Sequence, residues 1–194
     1  MTLQQVKEFN TTFGVPMSET PTSRVPAAGL RYELIREEFE ELEEAMEALD
    51  IVEVADALGD IEYVVHGAIL VFGLENLKPN WNPEIHSPSV LNRTNRESLL
   101  FELQNFILWN NTQGIYNTLD KILTAVNDLA RSFEIDLPAV VDAIHKSNMS
   151  KLGEDGKPIY RESDRKVMKG PKYQTPTEDI RKLMFGDNYA PVLG

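Results

Sequence analysis

Residues 27–73 read AAGLRYELIREEFEELEEAMEALDIVEVADALGDIEYVVHGAILVFG, and spacing alone lays two helices along them. From Ala27 to about Leu49, apolar side chains recur at Ile35, Phe39, Leu42, Met46 and Leu49, the rhythm of an amphipathic helix. From about Val52 to Phe72, just before Gly73, the pattern changes. Val54, Leu58, Ile61, Val64, Val65, Ile69, Leu70 and Val71 point nearly all round the axis, and a helix of that kind is buried on most sides.

Working outward, residues 2–13 predict a short helix with Val6, Phe9 and Phe13 on its apolar side. Pro16, Pro21 and Pro26 then impose an extended segment, because proline lacks an amide proton and clashes with a preceding helical turn. Residues 75–95, with Pro79, Pro83 and Pro88, read as a loop. Helices are expected at 96–111, 115–133 and 137–150. Beyond Gly153 the chain turns polar and basic, which suggests a short hairpin or loop and then an irregular tail. The expected fold class is all-α: one domain over 1–194, a helical bundle with a short non-helical C-terminal arm at 153–194.

Composition narrows the chemistry. The 194 residues are 42% hydrophobic, with a formal net charge of −12, which suits a globular chain and disfavours non-specific binding to nucleic acid or an anionic membrane. Cysteine is absent, so thiolate zinc sites, disulfides and cysteine nucleophiles are excluded. The three histidines form neither HExxH nor ExxH, which argues against zinc hydrolases and di-iron bundles. The first residues, MTLQQVKEFN, do not resemble a secretory leader, and no apolar run could span a bilayer; a cytoplasmic location is expected.

Carboxylate oxygens remain as metal ligands. Glu38 borders the stripe of Ile35, Phe39 and Leu42, with Glu37 and Glu41 stepping outward from it. On the second helix Glu53, Asp56 and Asp60 stand at i, i+3 and i+7, within roughly 60° of one another. A Glu-rich helix alone is usually a solvated face. Acids confined to one side of an otherwise apolar helix are different, because unpaired buried carboxylates cost several kcal/mol each, in order of magnitude, even after relaxation. The second helix has no Lys or Arg, and the first offers only Arg31 and Arg36. Glu37, Glu38, Glu41, Glu53 and Asp56 facing one another would form an oxygen-only cage suited to Mg²⁺, with Mn²⁺ the alternative.

The pattern Glu38-x-x-Glu41, eleven residues, then Glu53-x-x-Asp56 resembles the ExxE…ExxD signature of the MazG-like and phosphoribosyl-ATP pyrophosphohydrolase-like families. The contexts RYELIREEFEELEEA and ADALGDIEYVVHGA, the latter with Asp60 one turn on, are similar too. His145-x-x-Asn148-Met149-Ser150-Lys151, followed by DGKP and KVMKGPKY, resembles the C-terminal segment of the branch that includes dimeric dUTPase-like enzymes. The likeness covers roughly 3–74 and 135–175, which leaves 75–134 as an insertion relative to simpler members.

The resemblance implies that Glu37, Glu38, Glu41, Glu53 and Asp56 hold Mg²⁺ around a nucleoside triphosphate. Glu37 or Glu38 would act on the water that attacks the α-phosphorus, giving a monophosphate and diphosphate, with dUTP the favoured substrate. Asn148, Lys151, Asp60, Lys166 and Lys169 are the implied substrate contacts. Phe9, Asn10 and Phe13 could meet a base but read better as packing residues, as do Trp81 and Trp109. His66 reads as a core or interface histidine. Two other readings compete: an inactive helical protein whose acidic face docks a basic partner, and hydrolysis of phosphoribosyl-ATP, from which the NMSK segment points away. A nearly apolar helix of this kind wants more cover than one small chain easily provides, so a homodimer or homotetramer is expected.

Overall fold

The computed structural model describes residues 2–82 and 91–186, so Pro83 and Pro88 of the expected loop lie outside it. Within those residues the chain forms seven helices: α1 (Thr2–Thr12), α2 (Ala28–Ala48), α3 (Ile51–Val71), α4 (Arg93–Leu108), α5 (Thr112–Ser132), α6 (Leu137–Met149) and α7 (Thr177–Phe185). The fold is all-α. The one strand-like feature among the described residues is an antiparallel bridge between Tyr160 and Val167.

The two long helices are joined by two residues. Leu49 takes a left-handed conformation (φ 56°) that ends α2, and the Asp50 carboxylate accepts hydrogen bonds from the amides of Val52 and Glu53 at 3.0 and 3.2 Å. A side-chain oxygen satisfying those first-turn amides is what starts a helix. So short a link makes α2 and α3 an antiparallel hairpin.

Helix α3 is the centre of the molecule, packed by α1, α2, α5, α6 and α7. Leu58, Ile61, Val65 and Ala68 are wholly buried, each of the larger ones contributing about 1.5–3 kcal/mol. The single chain therefore covers α3, and the argument for assembly that rested on its exposure does not hold. The 75–134 stretch supplies part of the cover: α5 packs on α3, and α4 on α2 and α5. At the far end Gly73 (φ +66°) turns the chain where a Cβ would lie 2.6 Å from the carbonyl oxygen of Thr20. This lets the proline-rich segment hydrogen-bond to the end of α3, Ser18 N to Leu70 O at 3.3 Å and Thr22 N to Phe72 O at 3.0 Å.

Several local readings are corrected. Helix α4 begins at Arg93 because Asn92 caps the amide of Asn95, and it stops at Leu108 ahead of left-handed Asn110. Trp109 is not a core residue: it is 70% exposed and meets the Phe106 ring edge-on, with centroids 6.5 Å apart. Trp81 instead donates its indole N–H to Asp120 Oδ2 at 2.9 Å. The tail is not irregular throughout, for α7 forms and buries Ile180. No described helix is long and apolar enough to cross a membrane.

Candidate active site

A cavity of about 810 Å³ opens between α1, the hairpin of α2 and α3, the end of α6 and the arm. Its size falls in the usual range for a small-molecule site, about 300–1,000 Å³. One end is walled by Glu38 and Glu41 from α2 and by Glu53, Asp56 and Asp60 from α3. The antiparallel hairpin brings the two acidic faces together, as the spacing implied.

These groups are held in a costly state. Burial, first, and then the charges of Asp60 and Glu41 push the Glu38 carboxyl up to about 9. Burial, then Asp60 and Glu53, push Asp56 to about 8. Asp60 is raised to about 6 by burial, against the opposing pull of Lys151, and Glu41 is raised chiefly by burial. Glu38 Oε2 and Asp56 Oδ1 are buried without any hydrogen-bond partner. Such orphaned oxygens are uncommon in native interiors and ask for an unseen partner.

Facing the acids are cations from the far end of the sequence. Lys151, Lys166, Lys169 and Asn148 all line the cavity. Lys151 lies past the end of α6, not on it, because the helix finishes at Met149 and Ser150 caps it. Burial lowers its pKa, while Asp60 and Glu38 act the other way. Lys169 is brought beside it at Gly170, where a Cβ would sit 2.1 Å from the Leu152 carbonyl oxygen, so only glycine permits that approach of the two backbone segments. Both ammonium groups lie over the Tyr173 ring, at 6.0 and 4.6 Å from its centroid. Glu37 is not part of the cavity wall; it is ion-paired with Lys166.

The arm is latched over this space. Residues 159–168 form a small hairpin, with Arg161 N bonded to Lys166 O and Met168 N to Ile159 O, both at 2.8 Å. Its Tyr160 hydroxyl donates to the Phe13 carbonyl oxygen at 2.6 Å, and the Arg165 guanidinium stacks on the Tyr160 ring at 4.0 Å.

Two parts of the wall escaped the sequence reading. Tyr63 lines the cavity, its hydroxyl 2.9 Å from His145 Nδ1 and hydrogen-bonded to Asn148, while His145 Nε2 lies 3.5 Å from Glu8. The HxxN spacing was visible, its tyrosine partner was not. Arg31 also lines the cavity, at the end away from the carboxylates with Gly67, and beside it stand Phe9 and Asn10, which the sequence offered as base contacts but favoured as packing residues. Phe13, stacked on Phe9 at 4.3 Å, is core. His66 stands outside the cavity, its Nδ1 2.9 Å from the Glu62 carbonyl oxygen.

The donor set fits a hard divalent cation, being all oxygen with two atoms unpartnered. Among the described residues no three Asp, Glu or His side chains already converge to ligand spacing, so a cation would have to draw them together.

Known proteins resemble the chain in sequence and in structure. The family model described as phosphoribosyl-ATP pyrophosphohydrolase matches residues 6–86, the stretch that holds the acidic hairpin. The chain is 31% identical over 178 residues to "Uncharacterized protein L479" of Acanthamoeba polyphaga mimivirus, covering 77% of this chain and 70% of that one. A crystal structure of a "putative NTP pyrophosphohydrolase" from Exiguobacterium sp. 255-15 is 22% identical, covers 93% of this chain and 91% of its own, and superposes with a TM-score of 0.42. With its ExxE and ExxD motifs brought face to face across one helical hairpin, the chain belongs to the MazG-like, all-α phosphoribosyl-ATP pyrophosphohydrolase family.

Proposed function

We propose that the protein hydrolyses a nucleoside triphosphate to the monophosphate and diphosphate in a Mg²⁺-dependent reaction, Mn²⁺ being the alternative ion, with dUTP the favoured substrate. The observation that carries this reading is the pair of buried, unpartnered carboxylate oxygens on Glu38 and Asp56 facing Lys151 and Lys169 across one cavity. A polyphosphate chelating a divalent cation supplies both charges that such a cavity lacks.

Glu38, Glu41, Glu53 and Asp56, with Glu37 beside them, would hold the ion. When bound, it neutralises phosphate charge and favours ionisation of water. Glu38 is the base of choice. A cation held beside it would favour its ionised form, which burial otherwise opposes, and only that form can take a proton from water. Glu37, fixed by Lys166, orients the same water. Lys151, Lys166 and Lys169 offset the negative charge on the phosphates, Asn148 donates to sugar or base, and Asp60 favours the charged form of Lys151 against its burial. The bond broken joins the α-phosphorus to the bridging oxygen, and diphosphate leaves.

The test is diphosphate release from a panel of dNTPs, NTPs and phosphoribosyl-ATP, each with Mg²⁺, Mn²⁺ or chelator. Metal-dependent release that is highest with dUTP is expected. Turnover of phosphoribosyl-ATP alone would replace the substrate assignment, and no turnover of any compound would leave the acidic groove as a docking surface.

The reading extends to a homodimer or homotetramer, for which exposed Phe101, Leu108 and Trp109 on and after α4 supply an apolar surface. Sedimentation equilibrium is expected to return two or four chain masses; one chain mass at micromolar protein would remove this part.

A further inference from the structure

The end of the cavity opposite the carboxylates holds a second pair of unsatisfied polar groups, and these belong to no catalytic role. Arg31 is 9% exposed and Asn10 1%, and Arg31 Nε and Asn10 Nδ2 are both buried without a hydrogen-bond partner. No ion pair among the described residues involves Arg31, and burial alone acts on its guanidinium, lowering its pKa to about 10. A buried charge with no partner is strongly disfavoured. The fold nonetheless makes room for it: at Gly67, across the hairpin on α3, a Cβ would lie 3.3 Å from Arg31 Nη1.

Position says what the group faces. Arg31 and Glu38 are seven residues apart on α2, two turns along one face and about 10 Å along the axis. With phosphates between Glu38 and the lysines, that length of cavity holds a sugar and then a base. Phe9 and Tyr63 line this stretch, and their rings suit the flat faces of a base. The part of a base farthest from its sugar is the edge bearing the exocyclic group, position 4 of a pyrimidine or 6 of a purine.

Resting on the hydrolase reading above, we infer that Arg31 selects the base by its exocyclic carbonyl, so that uracil, thymine and guanine nucleotides are accepted over cytosine and adenine nucleotides. Guanidinium has donors only and cannot be turned into an acceptor. It pairs with O4 or O6 and opposes an exocyclic amine, whose hydrogens would leave the arginine unsatisfied. Asn10 cannot decide the matter alone, since its amide can present either end to the ligand. A site built to hydrogen-bond one group discriminates strongly against an analogue lacking it, because its own buried groups are then unpaired.

Binding of non-hydrolysable α,β-imido analogues of dUTP, dTTP, dGTP, dCTP and dATP, measured calorimetrically with Mg²⁺, tests this alongside turnover of the parent nucleotides. The wild type should bind the three carbonyl-bearing analogues at least about tenfold more tightly than the two amino-bearing ones. Arg31→Met should remove that preference and leave dCTP-analogue binding within about twofold; Arg31→Lys, which keeps the charge but loses the planar fork, should retain only part of it. Equal wild-type affinity for all five overturns the inference even if both variants fail to fold. So does an Arg31→Met loss that is the same for every base, which would mark Arg31 as a simple counter-charge. Selective binding without turnover would sink the hydrolase reading and leave the base selectivity standing, while turnover without selectivity would do the reverse.

Discussion

Replacing Asp56 by Asn or Glu38 by Gln is expected to abolish catalysis and, in metal-free buffer, to make the protein more stable. Each side chain is buried with an unpartnered oxygen among like charges, so the neutral amide relieves repulsion that the folded state otherwise bears. Loss of the base or of a cation ligand should lower kcat/KM by about 10²–10⁴-fold. Relief of even ~1 kcal/mol raises the melting temperature of a chain this size by about 2–4 °C. Diphosphate release and calorimetric melting in EDTA read the two effects separately. A variant that loses both activity and stability would show that these carboxylates hold the fold together and would undercut their assignment to the cation.

The second large effect concerns pH. Glu38 is raised in the folded protein from 4.5 to about 9, and Asp56 from 3.8 to about 8. A group with a raised folded pKa contributes stability below its unfolded pKa and loses it as pH climbs through the folded value. Between pH 4.5 and about 9 the metal-free wild type should therefore fall progressively behind Glu38→Gln in melting temperature, the two being close at the acid end. Saturating Mg²⁺ should reverse the trend, stabilising the wild type more at pH 8 than at pH 6, since bound cations favour the ionised carboxylates. A wild-type-to-variant gap that stays constant across this range would mean that Glu38 ionises like a solvent-exposed acid.

How much of this could be read in advance depended on whether the information was local. Ile35, Phe39 and Leu42 against Glu38 and Glu41 define α2 by period alone, and the acids of α3 stand out because everything beside them is apolar. With a two-residue link the facing of the two acidic sides follows, which is why the carboxylate wall was legible. Arg31 was not. In a Glu-rich helix a lone arginine reads as a surface ion-pair partner, as Arg36 is with Glu33 at 2.8 Å, and its burial depends on Gly67, thirty-six positions later. Tyr63 was hidden likewise, since its partners His145 and Asn148 come from another helix. Helix α7 reads as tail in the sequence because it follows a polar, proline-bearing run and is only nine residues long. Trp109 shows the opposite error: large aromatics are usually packed, but the left-handed turn at Asn110 ends α4 before its last turn can be covered.

The latch between Tyr160 and Phe13 has a consequence for how the molecule comes into being. A ribosome delivers α1, α2 and α3 long before Lys151, Lys166 and Lys169, and domains tend to form from the N-terminal side during synthesis. For that interval the nascent acidic groove has no lysine to face it, and its neighbours α6 and the arm are not yet made. A divalent cation from the surroundings can then stand in for the lysines still to come, so metal should hasten maturation of the newborn chain as well as serve the finished one.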